Sequence, residues 1–133
     1  MLEIKSRDGK TVALMVRNEF NREGINFISE NHYPLQVGIN NYRKNEKIKP
    51  HSHINRKITI NTAQEVIYIK NGKARLDLYD ENNSKFQTLT LSTGDLVFFI
   101  SGGHGFEILE DTTIIEVKQG PYNGRNQDKM MIN

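Results

Sequence analysis

Hydrophobic and polar residues alternate with a period of two along most of this chain, and turn-forming residues interrupt the alternation at short intervals. Because successive side chains of a β-strand point to opposite faces, this pattern predicts an all-β sandwich or barrel of short strands. Eight strands are predicted, at residues 11–16, 35–42, 65–69, 74–79, 85–91, 96–100, 105–109 and 113–118. Helix is scarce, since only residues 17–23 and the polar tail after Tyr122 could wind a helical turn.

The strongest turn signal is the dipeptide Asn71-Gly72. Asn and Gly tolerate the positive φ angles that a type I′ turn requires, so this dipeptide is typical of tight β-hairpins. It predicts that strand 65–69 pairs with strand 74–79.

Two of the predicted strands, at residues 66–69 and 96–100, are apolar on both faces. A strand with one solvated face would alternate, so a second layer is expected to cover the outer face of each. The cover is either a second sheet of the same sandwich or the same surface of another subunit. The second alternative gives a two-fold homodimer, which is the arrangement we expect.

Composition narrows the class of protein. The chain has 133 residues, 36% of them hydrophobic, and is expected to form a single domain spanning residues 1–133. It has no cysteine, which excludes disulfides, thiolate zinc sites, iron–sulfur ligation and a cysteine nucleophile. No apolar run approaches membrane-spanning length and no signal peptide is recognisable, so a cytoplasmic location is expected. The formal net charge of +2, with basic residues interspersed among acidic ones, predicts no nucleic-acid or membrane partner.

Three of the four histidines and one glutamate form a spaced series of metal-binding residue types. On a strand, residues two apart share a face, so His51 and His53 could direct their imidazoles at one point. Glu65 and His104 could complete the cluster. Two or three histidines and one carboxylate, with open positions, suit one divalent iron, nickel, manganese or zinc ion.

The parity of the 65–69 strand bears on the carboxylate. Glu65 would share a strand face with Ile67 and Ile69. A carboxylate on an aliphatic face is buried, and burial without a cation is unfavourable, which makes a metal ion a suitable partner. Gln64 is the alternative oxygen donor if the register is shifted by one residue.

These residues resemble the first motif of the cupin superfamily of small β-barrels, G(X)5HXH(X)3-4E(X)6G. The residues that match it are His51, His53, Glu65 and Gly72. Asn45 stands in place of the opening glycine, and the eleven residues 54–64 replace the usual three or four.

The second cupin motif, G(X)5PXG(X)2H(X)3N, is matched by Gly94, Gly102 and His104. Ile100 replaces the proline, Ile108 replaces the closing asparagine, and the histidine comes one residue early. Residues 102–106 and 116–122 also resemble a group of single-domain bacterial cupins.

The resemblance covers roughly residues 36–117. It implies a cupin-type double-stranded β-helix, or jelly-roll barrel, at roughly 35–118, preceded by N-terminal strands within 1–34 and followed by a polar tail at 119–133. The implied metal ligands are His51, His53, Glu65 and His104. Cupins catalyse many different reactions, so the resemblance implies a metal site but no particular reaction.

The implied function is a metal-binding protein that acts on a small polar metabolite by dioxygenase- or isomerase-type chemistry. One alternative is a metal-free sugar epimerase or isomerase in which one of these histidines is the general base. Another is a non-catalytic module that binds a sugar or other small ligand. No catalytic residue, substrate or physiological metal is assigned, and whether the chain is an enzyme stays open. His32 fits no ligand spacing and is interpreted as a loop residue.

Overall fold

The computed structural model of the chain describes residues 1–121 and 123–133, and Tyr122 lies outside the described residues. Strands make up 42% of the chain and helix 3%, which confirms the predicted all-β class. The elements are β1 (Leu2–Lys5), β2 (Thr11–Val16), β3 (Gly24–Phe27), β4 (Gly38–Asn41), β5 (Glu65–Asn71), β6 (Lys73–Tyr79), β7 (Lys85–Ser92), β8 (Leu96–Phe99), β9 (Gly103–Ile108), β10 (Thr113–Lys118) and α1 (Arg125–Asp128).

All eight predicted strands are present, whereas β1 and β3 are absent from the prediction. Each of these two strands is only four residues long. The short helix α1 falls in the polar tail, as expected, but residues 17–23 contain a turn and no helix. No helix among the described residues is long and apolar enough to cross a membrane.

The chain divides into two compact units. The first, called here the sandwich unit, comprises Met1–Phe20 and Ala63–Asn133. It contains a five-stranded antiparallel sheet in the order β1-β2-β8-β5-β10 and a three-stranded antiparallel sheet in the order β7-β6-β9. The second, called the hairpin unit, comprises Asn21–Thr62 and contains the antiparallel pair β3-β4. The described strands form no closed barrel, so the coarser all-β class stands and the jelly-roll barrel stays a prediction.

The core of the sandwich unit lies between its two sheets. Ile67 and Ile69 of the larger sheet pack in the same buried cluster as Leu76 and Leu78 of the smaller one. These side chains are apolar and at most 4% exposed. Their burial removes a large apolar area from water, which is the main favourable contribution to folding.

The two strands that are apolar on both faces are largely buried within a single chain. Val97 faces the core between the sheets, and its neighbour Phe98, on the opposite face of β8, is also completely buried. Val66 is 7% exposed, whereas Tyr68 is 37% exposed. Burial of Val66 and Phe98 therefore requires no second subunit, and the homodimer stays a prediction.

The predicted hairpin at Asn71-Gly72 is wrong. β5 pairs with β8 and β10 in one sheet, while β6 pairs with β7 and β9 in the other. Gly72 has φ 106° but Asn71 does not have a positive φ, so the type I′ turn is not formed. A Cβ atom on Gly72 would overlap the carbonyl oxygen of Asp111 and the hydroxyl of Thr112. Glycine is required here because the chain crosses between the sheets against another stretch of backbone.

In the hairpin unit, β3 and β4 are held by backbone pairing and by one buried side chain. The Ser29 hydroxyl accepts a hydrogen bond from the Val37 backbone nitrogen at 2.8 Å and donates one to Gln36 Oε1 at 3.0 Å. Residues 42–62 of this unit contain no strand or helix.

Candidate functional site

Two of the four predicted ligands, Glu65 and His104, meet inside the sandwich unit. Glu65 is the first residue of β5 in the five-stranded sheet, and His104 is the second residue of β9 in the three-stranded sheet. His104 Nε2 lies 3.5 Å from Glu65 Oε2. Glu65 shares the strand face of Ile67 and Ile69, both in the core, so the predicted parity of this strand is confirmed.

Aromatic rings fix the position of the imidazole. The ring of Phe99 stacks on that of His104 with centroids 3.8 Å apart and an angle of 13° between the planes. Phe106 approaches the His104 ring edge-on at 5.7 Å. Phe99 is also the register partner of Glu65 on the neighbouring strand. The aromatic side chains therefore hold His104 against Glu65 and remove water from one side of the pair.

A second carboxylate, Glu116 of β10, completes the group. Its side chain is hydrogen-bonded to that of Glu65. Lys118, the register partner of Glu65 on β10, places its Nζ 3.5 Å from Glu116 Oε1 and 2.6 Å from Asp128 Oδ2. We refer to Glu65, His104 and Glu116 as the carboxylate–imidazole cluster. The sequence analysis assigned no role to Glu116. The pattern that points to it is that Glu116 shares a strand face with Lys118 between apolar neighbours.

The cluster has strongly altered proton affinities. Burial, together with the hydrogen bond and negative charge of Glu116, raises the pKa of Glu65 to about 7. The hydrogen bond from Glu65 lowers the pKa of Glu116. Burial and the nearby positive charge of Lys129 lower the pKa of His104 to about 4. At neutral pH the imidazole is therefore uncharged, and the two carboxyl groups can share one proton.

Glu65 and His104 are mostly buried, whereas the Glu116 side chain is 40% exposed. The side chain of His104 is 23% exposed and that of Glu65 is 16% exposed. Titratable groups that are desolvated, close to one another and still partly exposed are typical of functional sites.

His51 and His53 lie in the hairpin unit, in an exposed segment without regular secondary structure. The expectation that they share a strand face is therefore wrong. Their rings are nevertheless adjacent, with centroids 5.4 Å apart and an interplanar angle of 74°. His51 Nδ1 lies 2.8 Å from the carbonyl oxygen of Lys49.

The remaining sequence candidates have ordinary contacts. His32 lies in a turn, with Nδ1 3.2 Å from Glu30 Oε2. Gln64, the alternative oxygen donor, is 3% exposed, and its backbone nitrogen donates to Gln119 Oε1 at 2.9 Å.

A transition-metal ion requires several nitrogen or oxygen donors at a fixed spacing. No group of three or more His, Asp or Glu side chains among the described residues is arranged to hold a metal ion, so the four-ligand set stays a prediction. Nitrogen and oxygen ligands lie about 2.0–2.2 Å from such an ion, which separates neighbouring ligands by about 3.0–3.4 Å. The 3.5 Å between His104 Nε2 and Glu65 Oε2 is close to that separation. As a pair, these residues fit two positions on one ion.

No protein-family model, curated protein or solved structure matches this chain. The resemblance to cupins therefore rests on the motif residues alone.

Proposed function

We propose that this chain is a metal-binding, cupin-like protein that holds one divalent transition-metal ion beside a small polar metabolite. The observation that carries the proposal is the 3.5 Å approach of His104 Nε2 to Glu65 Oε2 at a partly exposed end of the sandwich unit. Glu65 matches the carboxylate of the first cupin motif and His104 matches the histidine of the second, and they would be the first two ligands.

The chemistry of the donors supports a borderline or hard cation. Imidazole nitrogen and carboxylate oxygen suit iron, nickel, manganese or zinc, and no thiolate is present to favour softer metals. A bound ion would polarise a carbonyl or enolate oxygen of the metabolite, or activate dioxygen.

The chain's own residues prepare the site for a cation. Two carboxyl groups, Glu65 and Glu116, are close enough to share a proton. A bound cation would reduce the repulsion between the two carboxylates in the same way as that proton. His104 is uncharged at neutral pH because burial lowers its pKa to about 4, so its nitrogen is free of the proton that would compete with an ion. Phe99 keeps the imidazole in position by stacking. His51 and His53 enter the proposal through the first cupin motif only.

Metal analysis tests the proposal directly. Protein purified without an affinity tag should carry, or take up after chelation, about one divalent ion per chain, and the ion should raise the melting temperature by mass action. Iron, nickel, manganese and zinc are each added to chelated protein. If none of the four changes the melting curve or is retained after desalting, the metal proposal is wrong.

A second candidate is a metal-free epimerase or isomerase. What favours it is the hydrogen bond between Glu65 and Glu116 beside an uncharged His104, because an acid and a base then lie side by side. Turnover of keto acids, catechols and nucleotide sugars should be screened with and without chelator. Activity that persists in chelator supports this candidate, and activity lost in chelator and restored by one ion supports the metal proposal.

A further inference from the structure

The hairpin unit carries a concave surface of its own, with a volume of about 590 Å³. Its walls come from two segments of that unit, residues 31–36 and 56–62, and we call it the basic cleft. Cavities of roughly 300–1,000 Å³ are of the size that binds small molecules in proteins. The basic cleft contains none of the predicted metal ligands and is separate from the carboxylate–imidazole cluster.

The lining of the basic cleft has cations but no carboxylates. Arg56 and Lys57 line it, and none of its described lining residues is Asp or Glu; the nearest carboxylate to a lining imidazole is that of Glu30, 3.2 Å from His32 Nδ1. In the part of the chain that the structure describes, neither Arg56 nor Lys57 has a hydrogen-bond or ion-pair partner. Two cations without counter-charges beside a cavity make an anion the complementary ligand.

The charge of the surrounding chain is concentrated in the same unit. Residues 43–57 contain six Lys or Arg and one Glu, a net of +5. The hairpin unit as a whole carries a formal charge of +4, from seven basic and three acidic residues, whereas the whole chain carries +2. Basic and acidic residues are interspersed over the chain as a whole, but this segment is predominantly basic. A field of one sign over a concave surface attracts oppositely charged ligands.

The other groups in the basic cleft suit an oxygen-rich molecule. Thr59 and Thr62 supply hydroxyl groups, and Asn61 supplies a side-chain amide. The ring of Tyr33 stands edge-on to His32 at 4.6 Å and provides an apolar surface beside these polar groups. Hydroxyls and amides donate and accept hydrogen bonds, as a polyhydroxylated ligand requires.

We propose that the basic cleft binds a small polyhydroxylated molecule that carries a phosphate or carboxylate group, with Arg56 and Lys57 contacting the anionic group. Arginine presents a planar set of donors that matches both groups, and lysine adds a point charge. This proposal is independent of the metal proposal because the two involve different residues in different units.

Calorimetric titration of the full chain tests the proposal, with glucose 6-phosphate, gluconate and glucose as probes at one fixed ionic strength. We expect at least one anionic probe to bind at least tenfold more tightly than glucose, and the comparison of the two anions identifies the preferred group. Arg56→Gln and Lys57→Gln should each weaken that binding about tenfold, which corresponds to about 1.4 kcal/mol. Equal binding of glucose and both anions, or no binding of any probe, overturns the proposal.

Lys47→Gln is the matched control. Lys47 is an exposed lysine of the same basic segment that does not line the cleft, so its removal changes the net charge equally. It should leave binding within about twofold, and an equal loss in all three variants would show a diffuse charge effect and overturn the site. A short single-stranded oligonucleotide that binds more tightly than the sugar acids, with a steep salt dependence, would instead indicate a polyanion surface. Glu65→Gln should bind the anionic probe like the parent, which separates this outcome from that of the metal proposal.

Discussion

His104 Nε2 lies 3.5 Å from Glu65 Oε2, although the two residues are 39 positions apart and belong to different sheets. The contact forms because each side chain points from its strand into the space between the sheets. The neighbours that bury Glu65 and His104 in this space are mainly apolar, so neither strand alone would hold its polar side chain between the sheets. The packing of the two sheets therefore brings these residues together. They form a polar pair at one end of an otherwise apolar core.

If Glu65 and His104 hold a metal ion as proposed, removing either donor should weaken metal retention. Glu65→Gln and His104→Ala are each expected to weaken binding of the preferred ion by about a hundredfold or more, because each removes one ligand or its charge. Competition with a chromogenic chelator measures the affinity, and circular dichroism checks that the fold is intact. His32→Ala is the control and should bind like the parent, since its imidazole contacts Glu30.

The variants His51→Ala and His53→Ala decide how far the metal centre extends. The first cupin motif predicts that both lose the ion as His104→Ala does. Full retention in these two variants would confine the centre to the sandwich unit. If instead Glu65→Gln retains the ion and the three histidine variants lose it, the carboxylate assignment is wrong and the site consists of histidines.

The stability of the metal-free protein should depend on pH through Glu65. Its pKa in the folded chain, about 7, lies above the ordinary 4.5, so the folded state binds more protons between these values and loses stability as pH rises through them. The neutral amide introduced by Glu65→Gln mimics the protonated acid. The variant should match the parent near pH 4.5 and exceed it by about 1–3 kcal/mol at pH 8. Urea unfolding of chelated protein at both pH values measures this, and a pH-independent difference contradicts the assigned pKa.

Gly72 should tolerate substitution worse than Gly9, which also has a positive φ. Gly72→Ala forces both an unfavourable backbone angle and an overlap with Asp111 and Thr112, so we expect a loss of about 2–4 kcal/mol in the free energy of unfolding. Gly9→Ala, with φ 84° and no atom within 4 Å of the added Cβ, is the control and should lose only about 1 kcal/mol. Equal losses would mean that the crossing between the sheets is not tightly packed.

Three exposed apolar residues on adjacent strands form the surface on which the expected homodimer can be tested. Tyr68 of β5 is the register partner of Ile115 of β10, Val117 follows two residues later on the same face, and the three are 37%, 46% and 49% exposed. Light scattering at micromolar concentration should therefore give about twice the chain mass of 15.3 kDa. Ile115→Lys should yield a monomer, whereas Ile54→Lys, at a side chain 92% exposed in the hairpin unit, should not. A monomeric parent would show that the patch is simply solvated.

The sequence by itself determined the β class, the positions of the eight longer or more regular strands and the buried parity of Glu65. These features follow from the alternation of side chains along one strand, which is a local property of the backbone. The motif spacing selected Glu65 and His104 together with His51 and His53, and the structure brings Glu65 and His104 into contact.

Tertiary structure alone decided which strands pair, and with them the composition of the cluster. A turn dipeptide such as Asn71-Gly72 reports a local preference, but the close passage of Asp111 past Gly72 sends β5 and β6 into different sheets. The same packing brings Glu116 to Glu65 and leaves His51 and His53 outside any strand. Strand pairing depends on contacts between residues far apart in the chain, and neither local propensity nor motif spacing contains that information.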